Sequence, residues 1–152
     1  MKKAAKKFLA VVLVGVMMFC LTACGLDMEK IKGDWTVSTI NGKSTADYAD
    51  SLDTFEYLFL SNFTLTDSKF TLISLTADGE EVSKSYDIQV KSNGFECMEG
   101  DKIFMSVLYD DKADALSFKM LAGSTEMSYI LKKGKTDMKA KMDKELEDFY
   151  AE

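Results

Sequence analysis

Between Trp35 and Leu131 the chain is cut into short alternating segments by turn signals, and that cadence limits its fold more than any other feature. The signals are Asn41-Gly42, Asp67-Ser68, Ala77-Asp78-Gly79-Glu80, Ser92-Asn93-Gly94, Gly100-Asp101, Asp110 to Asp114 and Gly123-Ser124. Between them the residues alternate. Val82, Tyr86, Ile88 and Val90 fall on one face and Ser83, Ser85, Asp87 and Gln89 on the other, with Lys84 interrupting the apolar row. Leu116, Phe118 and Met120 alternate with Ser117 and Lys119, and Met127, Tyr129 and Leu131 mark a last segment. A period of two is a strand with one buried face. Strand starts fall near Trp35, Phe63, Lys69, Glu81, Phe95, Ile103, Ala115 and Glu126. Strands spaced roughly 8–12 residues apart make an antiparallel sandwich or barrel. Eight of them close into a barrel that just accommodates side chains or one small ligand. Closure also removes sheet edges, which matters in a chain without proline to blunt them.

Two stretches have helical period. Tyr48, Leu52, Phe55 and Phe59 predict a helix from Ser44 to about Tyr57, although Phe55, Tyr57 and Phe59 also alternate as a strand would. Near the C-terminus Met138, Met142, Leu146, Phe149 and Tyr150 share one face of an amphipathic helix that Thr136 or Asp137 can cap. That helix either packs on the barrel or lies free on a membrane or partner. Met28 and Ile31 suit a single turn tucked against the fold just ahead of Gly33.

Residues 1–23 have the three parts of a secretory signal. Lys2, Lys3, Lys6 and Lys7 form a basic region, Phe8 to Leu21 an apolar one, and Thr22-Ala23 a small-residue cleavage site. The apolar run falls short of the roughly 20 residues that cross a bilayer. Leu21-Thr22-Ala23-Cys24 resembles the lipobox of bacterial lipoproteins. The resemblance implies cleavage before Cys24, a diacylglyceryl group on its sulfur whose acyl chains include palmitate, and a protein anchored on the extracytoplasmic face of the cell membrane. Two acyl chains suffice for stable anchorage, at about 0.8 kcal/mol per buried methylene. The expected organisation is a signal peptide (1–23), a lipidated tether (24–32), a barrel (33–134) and a C-terminal helix (135–152).

All 19 basic residues are lysine and four of them lie in the leader, so the mature chain carries 15 lysines against 25 acids. Such an acidic surface argues against nucleic acid, whose binding needs dense cationic contacts to phosphate. It provides no polybasic patch for membrane contact either, which leaves anchorage to the lipid. With no histidine there is no Ser-His-Asp triad and no histidine-bound zinc, and with no arginine no bidentate fork for phosphate. Once Cys20 leaves and Cys24 takes the lipid, Cys97 has no intrachain partner and reads as a buried apolar thiol.

Gly33-Asp34-Trp35, then Asn41-Gly42 and the meander, resemble the lipocalin-like lipoproteins, in which Gly-x-Trp opens the first strand of an up-and-down barrel. Asp78-Gly79, Tyr86-Asp87-Ile88 and Asp101-Lys102-Ile103 fit the hairpin positions of that group. The resemblance spans roughly Ile31 to Lys133 and implies a structural role for Trp35 at the barrel base. It departs from the classical pattern in lacking the disulfide and the late arginine, and in carrying a helix after the first strand. The fold expected is therefore mainly β: an eight-stranded antiparallel, lipocalin-like barrel with one helix after the first strand and a C-terminal amphipathic helix.

No enzyme, cofactor or metal follows from these residues. Asp110, Asp111 and Asp114 match no calcium-loop spacing and read as a solvated turn. The acids pair too easily by chance to mark a glycosidase. The methionines left after the leader follow core periodicity rather than a copper site. Tyr86, Phe95, Phe104, Phe118 and Tyr129 are the candidate lining of an apolar pocket, or else plain core. Two functions stay open: a non-enzymatic module holding a small apolar or amphipathic ligand, or a structural or protein-inhibiting envelope lipoprotein with a filled barrel, like barrel-shaped lysozyme inhibitors.

Overall fold

The computed structural model describes residues 25–49, 61–76, 78–122 and 124–151. One helical turn, α1 (Met28–Ile31), precedes β1 (Gly33–Ile40), the two-residue β2 (Lys43–Ser44) and α2 (Thr45–Ala49). Then come β3 (Asn62–Leu65), β4 (Lys69–Leu75), β5 (Glu81–Lys91), β6 (Gly94–Glu99), β7 (Lys102–Asp110), β8 (Ala115–Ala122), β9 (Thr125–Lys133) and α3 (Met138–Ala151). Every neighbouring pair is antiparallel, and β1 also pairs with β9, so the eight long strands close on themselves. Trp35 faces Phe63 on one side and Lys133 on the other. The cadence of the sequence thus becomes an up-and-down barrel, with β2 a short appendage to β1.

The turns hold the register. Asn41 and Gly42 both have positive φ, the geometry that a two-residue hairpin needs and that Asn-Gly supplies at low cost. Asp67-Ser68 connects Leu65 to Phe70 in register, and the Lys69 amide donates to Thr66 Oγ1. Gly94 is needed for a different reason. A Cβ there would sit 2.0 Å from the Val107 carbonyl oxygen, so only glycine lets β6 and β7 approach so closely. Asp110 Oδ1 accepts from the amides of Lys112 and Ala113, which makes the acidic stretch a self-bonded turn.

The two ends of the barrel differ. At the base, α1 lies across the opening with Ile31 fully buried. Its carbonyl accepts from Trp35 Nε1 at 2.9 Å, which gives that buried indole its partner. Lys30 pairs with Asp111 in the β7–β8 turn, and Lys32 with Asp67 in the β3–β4 turn. Lys133 donates to the Lys30 carbonyl and sits 5.6 Å over the Trp35 ring. Trp35 is itself fully buried at this end of the barrel, beneath α1.

Ser44 Oγ accepts from the Asp47 amide and so opens α2 where the sequence predicted a helix to start. The remainder of that helix, with Leu52, Phe55, Tyr57 and Phe59, lies outside the described residues, as does the lipobox. In the tail, Asp137 caps α3 by accepting from the Ala140 amide. Thr136 has another task. Its amide donates to Asn62 Oδ1 and its carbonyl accepts from Asn62 Nδ2, which fastens the start of α3 to β3. Met138 and Met142 are buried, and Leu146 packs partly against the core. Of the two placements open to this helix, the one observed is packed on the barrel.

Ile31→Ala is expected to lower unfolding stability by about 2–5 kcal/mol, the usual range for truncating a fully buried aliphatic residue. Urea denaturation followed by Trp35 fluorescence measures this. A loss below about 0.5 kcal/mol would show that α1 does not seal the base.

Candidate functional site

Inward-facing residues on alternate positions fill the barrel. Phe95, Phe70, Phe63, Phe118 and Tyr129 form a continuous chain of ring contacts with centroids 5.0–5.6 Å apart. Stacked and edge-to-face pairs of this kind add about 0.5–1.5 kcal/mol each beyond burial. Toward the mouth, away from α1, the lining becomes Ser61, Leu72, Tyr86, Phe104, Met105 and Met120, with Phe63, Phe70, Phe118 and Tyr129 beneath. This depression is almost wholly apolar.

Phe104 owes its place to a break in the ladder. Cys97 pairs with Met105 and Met98 with Ile103, so Phe104 is the unpaired extra residue of a β-bulge. Strict alternation would turn Phe104 outward while Met105 points in. Instead its ring stacks flat on Tyr86, with centroids 4.7 Å apart and planes within 6°. It remains 41% exposed. Lys84, on the inward parity of β5 but at the rim, reaches over both rings at 5.0 and 5.6 Å. Its Nζ donates to Glu99 at 2.9 Å. The bond to Glu99 first, and then Tyr86, hold the ammonium above its ordinary pKa. The mouth is thus rimmed by an aromatic pair under a cation.

Four of the five pocket candidates, Tyr86, Phe104, Phe118 and Tyr129, come together here. Phe95 lies one layer deeper against Phe70 and does not line the depression. Sequence reasoning left out Phe63, Phe70, Leu72, Met105 and Met120. The first three were recoverable, because the Asp67-Ser68 turn sets Leu72 opposite Phe63 and Phe70 opposite Leu65. Val82 and Val90 keep the parity of Tyr86, yet both are half-exposed, since β5 overshoots the core at each end.

The free space enclosed by the mouth lining is about 20 Å³, enough for one water molecule. Ligand pockets run to roughly 300 Å³ and more. A ligand therefore has to displace side chains. Phe104 at its bulge and the unbranched Met105 and Met120 are the groups best suited to move. A larger cleft of about 520 Å³ lies outside the barrel, between the β4–β5 turn and the start of α3, but it is wide open and carries charged residues from both sides.

Cys97 faces inward and is fully buried, and desolvation pushes its thiol up to about 12. A nucleophilic cysteine needs the opposite shift.

No family model matches this sequence, and no curated protein matches it. Among solved structures, a crystal structure of apocrustacyanin C1 is similar over 82% of this chain and 81% of that one, at 10% identity and a TM-score of 0.38. What the coordinates define by themselves is a closed eight-stranded antiparallel barrel, sealed at one end and aromatic at the other.

Because the native thiol keeps its proton to a higher pH than the unfolded one, the native state binds more protons and stability falls as pH rises above about 9. The expected loss from this group is about 1.4 kcal/mol between pH 8 and pH 10. Lys30 and Lys32 are both held above the ordinary lysine pKa by their carboxylate partners, so they add little to this loss. Urea midpoints should fall over this range in the parent and markedly less in Cys97→Ala. The native mature domain made without Cys24 should also resist an aromatic disulfide reagent at pH 8, whereas reaction within seconds would contradict the burial of Cys97.

Proposed function

We propose that this chain is a lipid-anchored lipoprotein of the cell envelope. Its barrel holds a small apolar or amphipathic molecule at the mouth, without catalysis. The observation that carries the ligand reading is Phe104. A large ring left 41% exposed on a bulge, stacked over an apolar depression, is surface that a bound molecule would cover. Tyr86, Phe118 and Tyr129 supply the remaining faces. The Lys84–Glu99 pair at the rim suits a molecule with one polar end. Support for the anchor comes from the match at Leu21 to Cys24, and Cys97, the other cysteine left after processing, is buried inside the barrel.

Native mass spectrometry of the mature domain made without Cys24 should show a co-purified small molecule. The apolar fluorophore N-phenyl-1-naphthylamine should bind saturably, one per chain. Phe104→Ala should weaken that binding by about tenfold, the effect of roughly 1.4 kcal/mol of lost contact, while shifting unfolding stability far less. If nothing co-purifies and the fluorophore does not bind, the barrel is a filled scaffold and recognition belongs to its surface. For the anchor, Cys24→Ala is expected to abolish incorporation of labelled palmitate and release the protein from the membrane fraction. Unchanged partition of that variant would overturn the anchorage.

A further inference from the structure

On the proposed anchorage Cys24 would fix the chain to the bilayer at one atom, and the fold from Gly25 onward limits how the barrel can turn about it. Leu26 and Met28 already pack against the core, Asp27 caps α1 by accepting from the Glu29 amide, and Ile31 is sunk into the base. The fold therefore grips the chain from Leu26 onward. Only Gly25, which touches nothing within 4 Å of where a Cβ would be, stands between that grip and Cys24. Two residues span at most about 7 Å.

The sealed base lies at this end, with the β3–β4, β5–β6 and β7–β8 turns around it. The mouth lies at the other end of strands such as the eight-residue β1, about 20 Å away once their tilt in the barrel is allowed for. A tether of about 7 Å cannot swing that far end round to the lipid. Of the lysines around the base, Lys30 and Lys32 pair with Asp111 and Asp67.

We propose that the sealed base of the barrel is held against the lipid headgroups and that the mouth faces away from the membrane. This rests on the anchorage at Cys24. A ligand of the mouth then arrives through water, not by lateral transfer from the bilayer.

The test uses the mature lipidated chain, extracted from membranes and reconstituted into vesicles of phosphatidylcholine and phosphatidylglycerol that carry a headgroup-attached quencher. A fluorophore is placed at the base through Asn93→Cys, or at the mouth through Asp101→Cys, with Cys97 shielded by the core. Quenching should be several-fold stronger at the base position. Equal quenching, or stronger quenching at the mouth, with the lipid confirmed by the mass of the N-terminal peptide, would overturn the orientation and leave the anchor standing. An N-terminal peptide without lipid would remove the anchorage and the orientation together.

Discussion

The pairing of β1 with β9 governs the remainder of this molecule. An open eight-stranded antiparallel sheet would leave two unpaired edges and one broad apolar face to be covered by something else. Once Trp35 to Ile40 pair with Lys133 to Tyr129, both edges disappear and the apolar face becomes an interior. The width of that interior is fixed by strand number, and at eight it is barely wider than the side chains that fill it. This explains why the enclosed space is so small, and why, among the described residues, the large aromatic that reaches the mouth in half-exposed form does so from a bulge. With most inward positions committed to packing, departure from the regular ladder gives Phe104 a freedom that its neighbours in the core lack.

The two ends follow from the same constraint. A barrel has two openings, and an apolar core cannot be left wet at both. At the base the chain just ahead of β1 folds back as a single helical turn, with Ile31 as the plug and the Trp35 indole bonded to its carbonyl. The ion pairs around it are exposed and worth little individually; their contribution is to aim α1 at the turns it crosses. The mouth has no such plug among the described residues. It is lined by rings and methionines and capped at its edge by Lys84, whose charge is balanced by Glu99. This asymmetry is what makes a directional reading of the molecule possible.

Much of the fold was legible because its signals are local. Each two-residue turn fixes a register, and each register fixes the parity of the next strand, so the eight strand starts fall within two residues of those read from the sequence. The same logic places Tyr86, Phe118 and Tyr129 inside. What could not be read depends on long-range geometry. Nothing in the sequence around Phe104 announces the bulge that turns its ring inward. Nothing marks Asn62 as the clamp on Thr136, 74 residues away, which settles where α3 packs. Alternation also says nothing of strand ends, so Val82 and Val90 look like core yet project beyond it. Phe95 was misplaced by one layer for a related reason: parity says inside or outside, not how deep.

Amide hydrogen exchange across the β1–β9 ladder tests the closed barrel most directly. If the ring is shut, the bonded amides between Thr36 and Ile40 and their partners on β9 exchange as slowly as those between β6 and β7. Exchange of the β1–β9 amides at the rate of free strand edges, with β6 and β7 still protected, would mean an open sheet and would contradict the account.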